Sequence, residues 1–519
     1  MQRINRVCLI AVFTLMLMLA TAAFATVKPH GLFTDNAVLQ QGRKAPVWGT
    51  ADDGEKVTVK FCGQEVSTVA KDGKWMVWLK PLKAGGPFTM AICGKNCVEL
   101  KNVLVGEVWI CSGQSNMQMT VKSSADSEKV IAQCKDPMVR LITIPRGGKD
   151  EPQTELPAAN PPVSWQECAP ETLPDFSAVG YFFGKHLREA LKVPVGLISS
   201  NVGGTPAEAW TRRAVLEKEF PEVFTRQTEA IQNFPQTLER YNKAIADLKK
   251  AGKPIPQQMK RVPENPVTSA KRPCGLYNAM IAPIAGFAMR GALWYQGESN
   301  LMGTNANNDY REYADKMAAL VGGWRQIWGE GDFAFYFVQI APFKYCGGKS
   351  QRVNSPEMLP EFWTLQSRAA RRLKHTGMVV TTDLVDNLDD IHPRDKATVG
   401  HRLAGLALDK TYEQEVSSES PAFNALKVVG NKAVLTFEHT HGGLVSKDGQ
   451  PLTWFEVAGA AGKFVPAVAK IVGKKVEVSA AGVAQPVAVR FAWHQLAQPN
   501  LFNQAGLPAE PFNTQLPVE

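Results

Sequence analysis

The sequence has few of the features that mark membrane, nucleic-acid-binding and zinc proteins. After residue 25 no segment reaches the ~18 apolar residues that a membrane-spanning helix needs, so we expect a soluble mature chain with no membrane partner. Lys plus Arg is 58 against 49 for Asp plus Glu, and no basic block interleaved with aromatic residues argues for nucleic acid. No second Cys/His pair at ligand spacing accompanies Cys93 and Cys97, so we predict no metal, and we expect no other cofactor.

The composition is that of an ordinary globular protein. Of the 519 residues, 45% are hydrophobic and 21% are charged, which excludes wholesale disorder, collagen and a small disulfide scaffold. At roughly 100–200 residues per domain, this length suggests about three domains, each able to bury its own core.

The first 25 residues resemble a secretory signal peptide. Arg3 and Arg6 precede an almost uninterrupted apolar run, residues 7–19, and Ala23-Phe24-Ala25 is a small-residue cleavage signal. We predict cleavage after Ala25 and a secreted or periplasmic protein, with an uncleaved membrane anchor as the alternative. Eight cysteines then remain, which permits disulfides in an exported chain, and Cys93 and Cys97 are close enough in sequence for a local bridge.

The chain divides into three regions with different patterns of predicted strands and helices. Short strand runs separated by turn residues predict a β-sandwich region over residues 26–104. Strands then alternate with helical patterns over residues 105–412, which predicts an α/β domain, and residues 413–519 again favour strands. A polar helical stretch at about 211–271 interrupts the α/β pattern, and we interpret it as an insertion or a lid.

The first segment that suggests chemistry is Gly113-Gln114-Ser115-Asn116, which follows an apolar strand. The glycine allows a tight turn, and we expect Ser115 to stand at the start of the next helix with its hydroxyl exposed. Backbone N–H groups there point at any oxyanion that forms on attack, although a serine in this position is more often a helix cap.

The second segment, Trp294-Tyr-Gln-Gly-Glu-Ser-Asn300, closes another predicted strand. Gln296, Glu298 and Asn300 cluster polar groups where open α/β sheets place their ligands, at the carboxyl ends of strands. The alternatives are a polar loop, or a glycoside hydrolase in which Glu298 is an acid or base.

The third segment, Asp386-Asn-Leu-Asp-Asp-Ile-His-Pro-Arg394, leads into a predicted helix. His392 follows Asp389 by three positions and Asp390 by two, so either carboxylate could hold one side of the imidazole while the other side faces a serine.

Taken together, these motifs resemble the sialate O-acetylesterase family of the SGNH hydrolase superfamily. The resemblance extends over nearly the whole mature chain. It rests on these segments, together with 203–210, 276–280 and the two terminal β regions at 32–41 and 500–512. It implies an α/β fold, an SGNH-type (flavodoxin-like) three-layer α/β/α core with accessory β-sandwich regions at both ends.

The resemblance also implies a Ser-His-Asp esterase that removes acetyl groups from sugar hydroxyls. Ser115 would be the nucleophile and His392 the general base and then acid. The superfamily's Asp-x-x-His spacing favours Asp389 as the orienting carboxylate, whereas the family's Asp-Ile-His-Pro form favours Asp390.

For the oxyanion hole we predict the backbone N–H groups of Ser115 and of Gly203 or Gly204. A side-chain amide would complete it. The superfamily's Gly-Asp-Ser-Leu and Gly-x-Asn-Asp motifs are absent, which leaves the choice of amide open, with Gln296 first and Asn300 second.

The predicted substrate is an acetylated sugar or glycan. We expect Gln114, Asn116, Glu298 and Trp210 to contact it, with Trp210 stacking on a sugar face. An arginine could meet a sialic acid carboxylate, and the candidates are Arg212, Arg213 and Arg394.

Other functions remain as alternatives. The first choice of substrate is 9-O-acetylated sialic acid and the second is acetylxylan or another acetylated polysaccharide. A glycoside hydrolase would use Glu298 with Glu107 or an Asp, and a non-catalytic glycan-binding protein would bind sugar without turnover. A metal-dependent deacetylase is disfavoured because no His/Asp cluster has ligand spacing.

Overall fold

A computed structural model describes residues 27–256, 259–303, 310–347 and 350–516. The predicted signal peptide lies outside these residues. In the described ranges, no helix is both long enough and apolar enough to cross a bilayer.

The N-terminal region consists of two sheets that face each other, in agreement with the predicted sandwich. The strand Ala45–Thr50 pairs with β-strands on both sides to form one sheet, and Lys56–Phe61 is central to the other. Alternate residues of Lys74–Leu79 are buried, as expected for a strand with one face on a core. The strands of this region are β1 (Lys28–Pro29), β2 (Val38–Gln40), β3 (Ala45–Thr50), β4 (Lys56–Phe61), β5 (Gln64–Val69), β6 (Lys74–Leu79), β7 (Gly85–Cys93) and β8 (Cys97–Gly113).

Strand β8 joins the N-terminal region to the central sheet without a break. Its first half pairs with β7 and β2, and its second half, from Glu107, lies inside the central sheet. The predicted domain boundary between residues 104 and 105 therefore falls inside one continuous strand, because 17 residues are enough to cross both sheets. The predicted local bridge is present: Cys93 and Cys97 form a disulfide across the turn from β7 to β8, with Cα atoms 4.1 Å apart.

The central sheet is mostly parallel, as the alternation of strands and helices predicts. Its strands are β8, β9 (Asp136–Thr143), β10 (Gln166–Cys168), β11 (Val195–Asn201), β12 (Gly291–Tyr295), β13 (Ala334–Val338) and β16 (Thr376–Val379), with a separate hairpin of β14 (Cys346–Gly347) and β15 (Ser350–Gln351). The order is β10-β9-β11-β8-β12-β13-β16, and only β10 runs antiparallel to its neighbour.

Helices cover both faces of this sheet. Along β8, Trp109 and Cys111 belong to one buried cluster, whereas Val108 and Ile110 belong to another. The first cluster includes the helices Ala178–Leu191 and Lys396–Lys410, and the second includes Tyr313–Trp328 and Met358–Arg372. The α-helices are α1 (Ser115–Gln118), α2 (Ser127–Ala132), α3 (Ala178–Leu191), α4 (Arg213–Glu219), α5 (Glu222–Lys250), α6 (Glu298–Met302), α7 (Tyr313–Trp328), α8 (Met358–Arg372) and α9 (Lys396–Lys410).

The long helix α5 lies where the polar helical pattern predicts it. Val223 is its one buried residue, and its Gln227 and Tyr241 side chains donate to carbonyls of the segment that follows, at Pro266 and Met259. The helix therefore projects from the body instead of covering the core, and the alternative of a lid finds no support.

The C-terminal region is a second all-β unit, as predicted. One four-stranded sheet has the order β17-β18-β23-β22 and the other β21-β20-β24-β26, and both contribute to one apolar core around Leu435, Val457 and Phe491. Its strands are β17 (Ala422–Val429), β18 (Lys432–Glu438), β19 (Leu444–Ser446), β20 (Phe455–Ala458), β21 (Phe464–Pro466), β22 (Val468–Val472), β23 (Lys475–Ser479), β24 (Ala488–Phe491), β25 (Leu501–Asn503) and β26 (Phe512–Asn513).

Candidate active site

Ser115 occupies the turn that leaves the carboxyl end of β8. Gly113 has φ +136°, and a Cβ atom there would lie 2.2 Å from the Tyr295 carbonyl oxygen, so only glycine fits. Helix α1 begins at Ser115, as predicted, and the serine is half-buried. As for the first residues of any helix, the N–H groups of Ser115 and Asn116 have no acceptor among the described residues, which leaves two donors beside the Ser115 hydroxyl.

His392 lies in the loop between β16 and α9, with one of the two predicted carboxylates beside it. Its Nδ1 is 3.4 Å from Oδ1 of Asp390, and the same oxygen accepts the His392 backbone N–H at 2.9 Å. Asp389 is instead 3.9 Å from Lys344, and 77% of its side chain is exposed. The geometry therefore favours Asp390 over Asp389 as the partner of the imidazole.

The serine turn and the histidine loop are held together by a single side chain. The amide nitrogen of Asn116, the residue after Ser115, donates to the carbonyl oxygen of Ile391 at 3.1 Å. Ile391 immediately precedes His392. The structure thus brings together two predicted segments that are separated by more than 270 residues in the chain.

The surroundings of His392 favour its neutral form. Burial lowers the pKa of the imidazole, the nearby positive charge of Lys396 lowers it further, and Asp390 acts in the opposite direction. A neutral imidazole at pH 7 is the form that can accept a proton from a hydroxyl.

The two predicted glycines lie beside Ser115 but differ in what their N–H groups do. A Cβ atom on Gly203 would be 3.2 Å from the Ser115 Cβ atom, so this backbone is in close contact with the serine. The Gly203 N–H, however, donates to Oε1 of Gln118 at 2.7 Å. The Gly204 N–H has no acceptor within the described residues, so of the two it is the donor that remains available.

Gln296 and Asn300, the two amides predicted for the oxyanion hole, are both engaged within the protein. Gln296 is fully buried, and its Nε2 lies within hydrogen-bond distance of three protein acceptors, on Gln114, Thr205 and Asn300. Asn300 is 2% exposed, and its amide nitrogen donates to Glu208 at 2.9 Å. Both amides hold the β12–α6 turn in place, because buried amides are satisfied by the protein itself.

All four side chains that were predicted to contact the substrate are buried. Trp210 packs edge-on against Trp294 and cannot reach a sugar. Gln114 accepts from the Gln296 amide and the Ser299 N–H, and Asn116 and Glu298 are hydrogen-bonded to each other at 2.6 Å. These buried residues pack beneath the Ser115 turn, on the side away from solvent.

The second segment, for which a polar loop was one alternative, contains the start of helix α6, at Glu298. Burial raises the pKa of Glu298, whose Oε1 accepts from Asn116, while Oε2 is buried without a hydrogen-bond partner in the described structure. The predicted glycosidase partner, Glu107, lies six residues before Gly113 on β8, about 20 Å along the strand at ~3.3 Å per residue. The two carboxylates of a glycosidase stand ~5–9.5 Å apart, so this pairing is excluded.

Sequence reasoning missed Lys396, which is 1% exposed and donates to Oδ1 of Asn116 at 2.6 Å. A signal was present: Lys396 stands three, four and seven positions before Val399, Gly400 and Leu403, which are buried on the inner face of α9. No group of three or more His, Cys, Asp or Glu side chains in the described ranges could hold a metal ion.

Comparisons with known proteins identify the family of the chain. The family model described as "Carbohydrate esterase, sialic acid-specific acetylesterase" matches residues 105–254 and 266–409. A sialate O-acetylesterase of Rattus norvegicus is 31% identical over 445 residues, 78% of each chain, and that of Homo sapiens is 29% identical, covering 92% of this chain and 90% of its own.

Among solved structures, a carbohydrate acetylesterase from Xanthomonas citri is similar to this chain with a TM-score of 0.79 and 32% identity. The alignment covers 94% of this chain and 99% of that one. The protein is therefore a carboxylic ester hydrolase, and the chain belongs to the sialic acid-specific acetylesterase family of carbohydrate esterases.

Proposed function

We propose that the protein is an exported esterase that hydrolyses O-acetyl esters of sugars, 9-O-acetylated sialic acid first, with Ser115, His392 and Asp390 as its catalytic residues. One observation carries this proposal: the Asn116 amide ties the Ser115 turn to the His392 loop, and Asp390 lies 3.4 Å from the far side of the imidazole.

In the first half of the reaction, Ser115 Oγ attacks the carbonyl carbon of the acetyl ester and its proton passes to Nε2 of His392. The tetrahedral intermediate collapses, His392 returns the proton to the departing sugar oxygen, and acetyl-serine remains. Water then attacks the acetyl-serine with His392 as base, which releases acetate and restores the Ser115 hydroxyl. Asp390 keeps the proton-bearing Nδ1 oriented throughout.

The oxyanion of both intermediates needs donors that are already in position. The N–H groups of Ser115 and Gly204 are the proposed pair, because neither has a protein acceptor in the described part of the chain. Each such donor contributes ~3–4 kcal/mol to stabilisation of the transition state.

The proposed core is of the three-layer SGNH type. Support comes from the parallel strand order β9-β11-β8-β12-β13-β16 with helices on both faces, and from polar segments that meet at the carboxyl edge of the sheet.

Sialic acid carries a carboxylate, which acetylxylan lacks. Of the three candidate arginines, Arg212 donates to Gln326 and Arg213 to Glu217, whereas Arg394 is exposed two residues after His392. An arginine that is not engaged elsewhere is the suitable partner for a substrate carboxylate, so Arg394 supports the sialic acid proposal. Acetylated xylan is the second candidate, since the proteins similar to this chain include both a sialate O-acetylesterase and a carbohydrate acetylesterase.

Export rests on the sequence of residues 1–25. Expression of the full chain with N-terminal sequencing tests it: a mature N-terminus at Thr26 in the periplasm or medium supports export, and an intact N-terminus in the cytoplasm contradicts it.

The experiment that tests the activity is acetate release from 4-nitrophenyl acetate, 9-O-acetylated sialic acid and acetylated xylan. We expect Ser115→Ala and His392→Ala to lose at least ~10³-fold in kcat. Ser123→Ala, an exposed serine nearby, is the matched control and should retain activity. Asp390→Asn should lose ~10²-fold and Asp389→Asn little. Full activity in Ser115→Ala would refute the mechanism.

Selectivity is tested on the same substrates. Arg394→Ala should lower kcat/KM for the sialic acid ester at least ~10-fold relative to 4-nitrophenyl acetate. A wild-type preference for xylan, unchanged in this variant, would favour the second candidate.

A further inference from the structure

A lysine and a glutamate are buried together beneath Ser115, joined by one asparagine. Lys396, Asn116 and Glu298 are exposed by 1%, 0% and 1%. The Asn116 Oδ1 accepts from Lys396 Nζ at 2.6 Å, and its Nδ2 donates to Glu298 Oε1 at 2.6 Å and to the Ile391 carbonyl at 3.1 Å.

These contacts fix the orientation of the Asn116 carboxamide. An ammonium group can only donate and a carboxylate or carbonyl oxygen can only accept, so Lys396 and Glu298 together define which end of the amide faces which partner. Only in this orientation does the amide nitrogen reach the carbonyl oxygen beside His392. Lys396 therefore influences the distance between Ser115 and His392 through the Asn116 side chain.

The position is an expensive one for a lysine. Burying an ammonium group away from water is unfavourable unless it is paired, and here the pairing consists of one amide oxygen and the face of the Tyr295 ring, 5.2 Å from Nζ. No carboxylate lies within 4.0 Å of Nζ among the described residues, so the charge is not neutralised by a direct ion pair.

We propose that Lys396 is a positioning residue of the esterase site: it orients the Asn116 amide that joins the Ser115 turn to the His392 loop, and it brings one positive charge to the base of that loop. This inference rests on the proposed function of Ser115 and His392 and adds a residue that acts on both.

Charged groups on several segments act on His392 and on Lys396. His392 is faced by Asp390, which favours its protonated form, and by Lys396, which opposes it. Lys396 is faced by carboxylates on both flanking segments: Glu298, Asp395, Asp390 and Asp386.

Burial lowers the pKa of Lys396 to about 7, although these four carboxylates raise it. Lys396 is consequently charged throughout the more acidic range in which His392 titrates. The positive charge of Lys396 therefore repels the imidazolium throughout the pH range in which His392 gains or loses its proton.

The test is the pH dependence of kcat/KM for acetate release from 4-nitrophenyl acetate by the full-length enzyme, because its acid limb reports the essential base of the free enzyme. In Lys396→Met we expect kcat to fall about 10-fold at unchanged KM, and the acid limb to move up by at least ~0.3 pH unit. Lys396→Arg keeps the charge and should return the limb to its wild-type position.

Asn116→Ala is the matched variant, because it removes the link but keeps the ammonium. It should lower kcat while leaving the acid limb near its wild-type position. A residue with a merely structural role would lower activity in both variants without moving the limb, and an unmoved limb in folded Lys396→Met overturns the proposal.

If Lys396→Met does not fold, the titration of His392 is read directly. In Ser115→Ala protein with labelled histidines, the His392 resonance is identified by its loss in His392→Asn. The same titration is then repeated with Lys396→Gln added, which keeps a donor for the Asn116 Oδ1 but removes the charge. A higher His392 pKa in that protein supports the proposal, and an unchanged pKa overturns it. The proposed function fails separately, and visibly, if Ser115→Ala or His392→Ala retains wild-type activity.

Discussion

Two glutamates are buried equally well at opposite edges of the same sheet, yet their surroundings differ. Glu107, at the amino edge, is 1% exposed, and each of its oxygens accepts a hydrogen bond from Arg290, at 2.7 and 3.0 Å. Three further side chains donate to it: Gln40, Gln41 and Tyr412. Burial alone would raise its pKa, but these partners hold the pKa below its ordinary value.

Glu298, at the carboxyl edge, is also 1% exposed, but it has one side-chain donor, Asn116, and its Oε2 lacks a partner in the described structure. Its pKa is raised by burial, and the nearest cation, Lys396, reaches it only through the asparagine.

The comparison teaches that burial does not distinguish a structural charge from one at a functional site. A buried carboxylate with five donors is a support for the fold, whereas one left short of donors costs stability. Such groups accumulate where chemistry is done, and here that is the carboxyl edge beneath Ser115.

The largest expected effect is on stability at the amino edge. Glu107→Ala leaves the Arg290 charge without its partner and should lower the free energy of unfolding by ~3–5 kcal/mol. Glu298→Gln keeps an oxygen for Asn116 and should change it by less than ~1 kcal/mol. Urea unfolding measures the free energy of unfolding of both variants. Equal losses in the two variants would show that the two glutamates do not differ in their contribution to stability. Folded Glu107→Ala should retain its esterase activity, because Glu107 lies six residues before Gly113 on β8, about 20 Å from the Ser115 turn at ~3.3 Å per residue.

The next effect is on activity at the carboxyl edge. Asn116→Ala removes the bond between the Ser115 turn and Ile391, and a displacement of about 1 Å between reacting groups is enough for a loss of ~10²-fold in kcat. Steady-state kinetics on 4-nitrophenyl acetate checks this. A kcat within twofold of wild type would show that the amide does not position the serine.

Two glycines give a smaller version of the same comparison between the carboxyl and amino edges of the sheet. A Cβ on Gly203 would stand 3.2 Å from Ser115 Cβ, so Gly203→Ala should lower kcat about 10-fold with little loss of stability. A Cβ on Gly106, at the amino edge, would be 2.0 Å from the Pro194 carbonyl oxygen, so Gly106→Ala should mainly destabilise the fold. Kinetics and thermal unfolding of both variants would reveal any reversal of this order.

A further effect is a pH dependence of stability. Lys396 has a pKa of about 7 in the folded protein against an ordinary value of 10.5, so between these values the unfolded chain binds more protons. Raising the pH from 7 toward 10 should therefore stabilise wild type relative to Lys396→Met. Thermal unfolding midpoints at pH 7 and 9.5 measure the difference, and a constant difference would mean that Lys396 keeps an ordinary pKa.

Much of this architecture could be predicted from the sequence, because its strands carry strong local patterns. The strand-rich pattern over residues 26–104 includes the strands Lys56–Phe61 and Lys74–Leu79, and the helix predicted after the Asp386–Arg394 segment begins at Lys396. Strand β8 runs through the predicted boundary at residues 104 and 105, and this continuity could not be predicted because strand pairing over long distances leaves no local mark in the sequence.

Within the site, motifs identified the serine and histidine segments but not which of their neighbours are buried. The sequence shows polar or aromatic residues near strand ends at Gln296, Asn300 and Trp210. In the structure all three are buried and pack around the Ser115 turn. The choice between Asp389 and Asp390 depends on the side-chain directions in one loop, and these are set by tertiary contacts such as that of Asp389 with Lys344.

The central claim is that Ser115 is a nucleophile activated by His392, and covalent labelling tests it most directly. The full-length enzyme is treated with a fluorophosphonate at neutral pH and digested, and the modified peptide is identified by mass spectrometry. We predict one adduct, on Ser115, formed in step with loss of esterase activity and formed slowly in His392→Ala. Inactivation with the adduct on another residue, or full activity with Ser115 modified, would contradict the account.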